Sequence, residues 1–203
     1  MTIAFNEFMR QYKMTGSEKA DGYSRDAFIG LTQQEKEEVF RLLVTELPFS
    51  VEWLFFVDEK KALDVVKKEE EKFRGNGYKH IYILQEHLVR HTEDRSYQNH
   101  MIEDYSSYAD YLRPLVVDAL GRTPMNNTVI NFLKGIILTE TNTDAVDSAA
   151  RELLAGLNVP RTSEADKNNY KRLVNELSSE NSKIKMWALR KVSKYEANLL
   201  IGG

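Results

Sequence analysis

The sequence predicts an all-α fold: an irregular helical array of about 9–11 helices that includes HEAT-like helical hairpins, as in a short α-solenoid. Two observations support this prediction. No segment shows the sustained apolar–polar alternation of a half-buried strand. The last third of the chain repeats an apolar pattern after about 40 residues, and a unit of that length made of two amphipathic helices is typical of HEAT-like proteins.

The repeat has one part for each helix of a hairpin. The first stripe is Val129, Phe132, Leu133 and Ile136, and it returns 41 positions later as Tyr170, Leu173, Val174 and Leu177. The second stripe is Val146, Ala150 and Leu154, and it returns 38 positions later as Ile184, Ala188 and Val192. An irregular bundle without true repeats is the alternative, because two units can match by chance in a helical chain.

The predicted elements follow from local signals. A first helix carries Phe5, Phe8 and Tyr12 on one face, and a glycine-containing loop follows over 15–24. Thr32 and Glu35 form a capping box that begins the next helix. An apolar segment over 51–57 leads to Asp58, which can cap a long helix over 58–73. Further helices are predicted over 78–92, 97–120 (with Pro114 kinking it or starting a new one), 126–140, 143–157, 164–177 and 182–200.

Composition limits the class of protein. The chain has 203 residues, of which 42% are hydrophobic and 29% charged, and this fits one domain over 1–203. The absence of cysteine excludes disulfides and thiolate zinc sites. The first twelve residues lack the apolar run of a signal peptide, and 53–57 is too short to span a membrane. We therefore expect a cytoplasmic protein without membrane association.

The net charge of −3 conceals an asymmetry. Residues 1–118 contain 22 acidic and 16 basic side chains, whereas 119–203 contain 9 acidic and 12 basic ones. The first, less regular part is therefore acidic, and the HEAT-like part is mildly basic. Such a distribution can steer a charged partner, but it lacks the strongly basic domain of a dedicated nucleic-acid binder.

Histidine is the most reactive residue type in the chain. His80, His87, His91 and Asp94 lie near one stripe of a helix, and His87 and His91, one turn apart, have the spacing of two metal ligands. No glutamate follows His87 directly, so the pair lacks the general base of the zincin motif. We expect no catalytic residue, metal or cofactor, although a metal-dependent helical enzyme using His87, His91 and Asp94 stays open.

The best candidate for a binding surface combines tyrosines with carboxylates. Its predicted partner-binding residues are Tyr97, Glu103, Asp104, Tyr105, Tyr108 and Asp110. Tyrosine offers a large contact area at small entropic cost, and the carboxylates complement a cationic partner. The alternative is that Tyr105, Tyr108 and the nearby Tyr111 are half-buried core residues. Trp187, beside the repeat stripe, is expected in the core.

Several features together resemble the α-helical immunity proteins of bacterial polymorphic-toxin and contact-dependent growth inhibition systems. They are the aromatic first helix, the glycine-containing loop at Gly22, the capped segment 30–35 and the HEAT-like tail. The resemblance implies a cytoplasmic protein that forms a 1:1 complex with a cognate toxin domain, often a nuclease with a basic groove, and covers its active site. The acidic excess of 1–118 agrees with that implication.

A third hypothesis is a HEAT-like protein that binds nucleic acid through its basic C-terminal part. The residues considered for it are Lys171, Arg172, Lys183, Lys185, Arg190, Lys191 and Lys194. Nucleic acid remains a poor first expectation, because a dedicated nucleic-acid binder would normally have a clearly basic domain.

Overall fold

The computed structural model describes residues 1–20, 22–74 and 80–199. Every regular element in these ranges is helical, which confirms the predicted all-α class. The chain forms two compact units, Met1–His91 and Thr92–Gly203. The single domain predicted over 1–203, with its change in character at 118, stays a prediction.

The first unit contains six α-helices within the described residues. They are α1 (Ile3–Tyr12), α2 (Ser17–Ala20), α3 (Gln33–Val44), α4 (Val51–Val57), α5 (Glu59–Phe73) and α6 (Ile81–Thr92), whose last residue falls in the second unit. The predicted glycine break at Gly75 and Gly77 lies outside the described residues, as does the start predicted for α6 at Tyr78.

The second unit contributes six further α-helices within the described residues. They are α7 (Ser96–Asp104), α8 (Arg113–Gly121), α9 (Asn127–Thr139), α10 (Thr143–Gly156), α11 (Glu164–Leu177) and α12 (Ser182–Leu199). The described total of twelve exceeds the prediction of about 9–11 because α2 forms inside the predicted loop and the predicted helix over 97–120 is divided.

The division of that long helix has a local cause. After α7 the chain makes one turn of 3₁₀-helix, Tyr105–Ser107, and Tyr108 is extended. The hydroxyl of Ser107 donates to the carbonyl of Asp104 at 2.6 Å, a side-chain bond that competes with helix continuation. Pro114 then lies in the first turn of α8, so it begins a new helix rather than kinking one.

Side chains begin several helices as expected. Thr32 and Glu35 make the predicted capping box at α3, and Asp58 accepts from the backbone N–H of Lys61 at the start of α5. Asn126 caps α9 in the same way. These caps place the helix starts within one residue of their predicted positions.

In the first unit, α1, α3, α4 and α5 pack around a core that is rich in aromatic rings. Phe8 is fully buried and stacks on Tyr23, with ring centroids 5.2 Å apart. Phe28 stacks on Trp53 at 4.7 Å with an angle of 8° between the rings. The loop 15–24 is therefore anchored to the core through Tyr23.

In the second unit, α9 packs against α10 and α11 packs against α12, as the hairpin prediction requires. The pairs also contact each other, α10 with α11 and α9 with α12, while α8 lies against α10. Most of the repeat stripe is buried, including Val129, Leu133, Leu173 and Leu177. A HEAT-like arrangement of these hairpins stays a prediction.

A buried amide ties α7 to the turn that precedes α9. Gln98 is 1% exposed, and its Nε2 donates to the hydroxyl of Thr123 at 2.7 Å and to the carbonyl of Pro124 at 2.8 Å. Its Oε1 accepts from Nδ2 of Asn126 at 2.7 Å. The same Asn126 caps α9, so one network fixes the helix start and the turn together.

Candidate functional site

The predicted tyrosine–carboxylate surface lies on α7 and on the turn that follows it. Tyr105 and Tyr108 are buried, with 7% and 6% of their surface exposed. They are core residues, the alternative that the sequence left open, and neither ring is available as an anchor for a partner. Tyr97 is half-buried and meets the ring of His100 edge-on at 5.5 Å.

Burial of Tyr105 is stabilised by a charged neighbour from the next hairpin. Its phenol donates to Oε2 of Glu140 at 2.9 Å, and Nη1 of Arg113 lies 3.3 Å from Oε1 of the same carboxylate. Burial raises the pKa of Tyr105, and the bond to Glu140 adds to this effect. Burial alone would raise the pKa of Glu140, but donation from Asn142, Tyr105 and Thr141 lowers it overall.

The accessible part of the predicted surface is acidic. Glu103 and Asp110 are exposed and Asp104 is half-buried, while Tyr111, outside the predicted set, is 63% exposed. Arg113 lies between the side chains of Asp110 and Glu140, 3.3 Å from each, which supports the turn from beneath. We call Glu103, Asp104, Asp110 and Tyr111 the acidic surface.

The histidines are engaged in packing contacts. The ring of His91 stacks on Phe55 at 3.7 Å, and its Nδ1 lies 2.9 Å from Oε1 of Glu59. His87 is 9% exposed, and its ring is parallel to that of Phe55 at 6.0 Å. Within the described residues, no group of three or more histidine or carboxylate side chains has the geometry to hold a metal ion.

Sequence reasoning missed a groove in the first unit. Its volume is about 870 Å³, within the range of small-molecule sites. The walls come from the loop after α1 and from the segment between α3 and α4. The residues that line it are Met14, Thr15, Gly16, Lys19, Gly22, Tyr23, Glu46, Leu47, Phe49, Ser50 and Trp53.

One end of this groove is polar. Nζ of Lys19 lies 2.7 Å from Oε1 of Glu46 and donates to the phenol oxygen of Tyr23 at 3.0 Å. The phenol of Tyr23 in turn donates to Oε2 of Glu46. Burial raises the pKa of Tyr23, and the bond to Glu46 raises it further. The phenol therefore stays protonated and oriented at neutral pH.

The structure corrects the expectation for Trp187, which is 54% exposed on α12. Lys183, Trp187, Arg190 and Lys194 follow offsets of four, seven and eleven, so they form one stripe along an exposed helix face. Two other basic residues of α12 are less accessible, since Lys185 is 9% exposed and Lys191 pairs with Glu176 at 2.8 Å.

Comparison with known protein families, with curated proteins and with solved structures finds no match for this chain. Among the described helices, none combines the length and apolar character needed to cross a membrane.

Proposed function

We propose that this protein acts by binding another protein, and that it is an immunity-type inhibitor that covers the active site of a cognate toxin domain. The observation that carries the proposal is the acidic surface, in which Glu103, Asp110 and Tyr111 are all exposed on α7 and the turn that follows it. An exposed aromatic ring can anchor a protein partner, and carboxylates on the same surface attract a cationic partner and speed its association.

Charge distribution supports a cationic partner for this surface. Residues 92–118 contain six acidic and two basic side chains. One of the two basic residues, Arg113, is occupied by Asp110 and Glu140. A basic groove, such as that of a nuclease, would approach this face under attraction and would bind it in a salt-dependent manner.

The scaffold under the surface is suited to this role. Tyr105, Arg113 and Glu140 hold the turn after α7 against the α9–α10 hairpin through hydrogen bonds and ion pairs. A preorganised surface loses little conformational entropy on binding. The resemblance to helical immunity proteins favours a toxin domain as the partner, a 1:1 complex and a location in the cytoplasm.

Co-expression with the product of the adjacent gene tests the proposal, which requires that product to contain a toxin domain. We expect co-purification and loss of toxin activity. The double variant Glu103→Lys/Tyr111→Ala should weaken the complex at least about tenfold, mostly through slower association at low salt. Glu180→Lys, which reverses an exposed carboxylate elsewhere in the same unit, is the matched control. A neighbouring product that neither binds nor loses activity would remove the proposal.

A second candidate function rests on the stripe of α12. Residues 161–199 contain nine basic and five acidic side chains; Trp187 is 54% exposed, Nζ of Lys191 lies over its ring, and three further cations share its helix face. Aromatic rings between cations bind single-stranded nucleic acid by stacking and phosphate contact. A mobility shift that weakens with salt and disappears in Trp187→Ala/Arg190→Glu would support this candidate, whereas no shift at low salt would eliminate it.

A further inference from the structure

The ammonium group of Lys19 contacts several groups that bind cations, although a third of the side chain stays exposed. Its Nζ lies 4.7 Å from the ring centroid of Tyr23 and 5.1 Å from that of Tyr12. It also lies 2.7 Å from Oε1 of Glu46 and donates to the backbone carbonyl of Tyr12 at 3.2 Å. We call Tyr12, Tyr23 and Glu46 the cation cage.

The cage has the chemistry of a receptor for organic ammonium ions. Aromatic faces attract a cation through their quadrupole, and a carboxylate adds a charged hydrogen bond. Tyr23 also orients the carboxylate, because its phenol donates to Oε2 and leaves Oε1 for the cation. Lys19 therefore occupies a site whose hydrogen-bond acceptors would suit any primary ammonium group.

Helix α2, which carries Lys19, makes few contacts through its other described side chains. Helix α2 has only four residues, and its first two, Ser17 and Glu18, are exposed. Gly16 and Gly22 flank it with φ angles of 61° and 73°, in the left-handed region that glycine adopts without strain. Of the three α2 side chains that the structure describes, only Lys19 is half-buried, so its contacts with the cage fix the position of the helix.

The groove continues from the cage along an apolar wall. Trp53 lines it and is held by its stacking on Phe28, which makes the indole a fixed platform. Phe49 lies at the rim and is 68% exposed. A ligand with an aromatic group would place that group on this wall while its ammonium reached Glu46.

We propose that the cage and groove form a binding site for a small organic cation that carries an aromatic group, with Lys19 as the internal occupant that the ligand displaces. The site lies in the first unit, whereas the acidic surface lies in the second. The inference therefore does not depend on the proposed function, and each can fail without the other.

The test uses the full chain with Trp187→Phe, which leaves Trp53 as the single tryptophan. Phenethylammonium is titrated while the fluorescence of Trp53 is followed, and phenylpropionate serves as the anionic analogue. Lys19→Met removes the tethered competitor but keeps an apolar stem. We expect it to tighten binding about tenfold, since a tethered group competes at high effective concentration. Lys13→Met, which removes an exposed cation nearby, should leave the affinity unchanged.

Two further variants separate binding from folding. Glu46→Gln should abolish the titration, and Tyr23→Leu, which removes one aromatic face, should weaken it severalfold; circular dichroism and melting temperature establish that each is folded. The proposal is overturned if phenylpropionate binds as well as the amine. It is equally overturned if Lys19→Met gives no gain in affinity over Lys13→Met, or if no folded variant changes the titration.

Discussion

The phenol of Tyr105 and the carboxylate of Glu140 are joined by a hydrogen bond of 2.9 Å between residues 35 positions apart in the sequence. This bond connects the turn after α7 to the end of α9. It also explains why Tyr105 faces inward, because a buried phenol needs a partner and Glu140 provides a charged one.

Tyr105→Phe tests the energetic weight of this bond. The variant keeps the ring and its edge contact with Phe132 at 5.2 Å but removes the donor. Because the acceptor is a carboxylate, we expect the free energy of unfolding to fall by about 1.5–3 kcal/mol in urea titrations. Tyr111→Phe, at a position that is 63% exposed, is the matched control and should leave stability unchanged. Equal effects of the two variants would contradict the role given to Glu140.

Glu35 should make stability depend on pH in the acid range. The N–H of Thr32 is the main cause that lowers its pKa, with help from Thr2, and the pKa is about 2 against an ordinary value of 4.5. A carboxyl with a lowered pKa stabilises the folded state above the unfolded value, and this stability is lost as pH falls from about 4.5 toward 2.

Glu35→Gln should therefore flatten the pH dependence of unfolding in that window. Melting temperatures measured between pH 2 and pH 6 provide the check, because this range covers the window from about 4.5 down toward 2 in which the stability is lost. Glu37→Gln removes a carboxylate from the same helix without touching the capping box, and it should keep the slope of the parent protein. If the melting temperature of Glu35→Gln falls with pH as steeply as that of the parent protein, another group causes the acid sensitivity.

The repeat positions Val146 and Ile184 should respond differently to truncation, although the 38-residue offset makes them equivalent. Val146 is 4% exposed and Ile184 is 41% exposed. We expect Val146→Ala to cost about 1.5–3 kcal/mol and Ile184→Ala at most about 0.5 kcal/mol. Equal losses in chemical denaturation would show that α12 is buried on both faces.

The two tryptophans should be distinguishable by fluorescence. Trp53 is stacked on Phe28, whereas Trp187 is 54% exposed. Trp187→Phe should leave a blue-shifted emission that iodide quenches weakly, because Trp53 is partly shielded. Trp53→Phe should leave a red-shifted emission that iodide quenches readily. The opposite order would place Trp187 in the core, as the sequence pattern suggested.

The helices could be predicted because their signals are local. Apolar spacing and the caps at Thr32 and Asp58 depend on residues a few positions apart. The break after α7 was missed because the hydroxyl of Ser107 and the buried phenol of Tyr105 oppose a helical pattern that looks continuous. The spacing of apolar residues identifies the repeat stripe. Only the tertiary contacts decide which neighbouring residues, such as Trp187, face solvent.

The groove was missed for a related reason. Lys19, Glu46 and Trp53 come from three segments, and nothing in their spacing indicates that they meet. The glycines of segment 15–24 predict a loop, but they do not indicate which residues the loop contacts. Of the predicted partner-binding residues, Glu103 and Asp110 are exposed and Asp104 is half-buried, whereas Tyr105 and Tyr108 belong to the interior.

Gln98 makes the length of one connection a structural constant. Its amide makes hydrogen bonds to Thr123, Pro124 and Asn126 at the same time. These three bonds require a fixed number of residues between α8 and α9. Adding or deleting a residue there would shift all three contacts out of register and release the start of α9. The connection between α10 and α11 includes exposed residues at 160–163, and the structure describes no comparable buried side chain that bonds to several of its residues. Evolutionary drift in chain length should accumulate in that second connection.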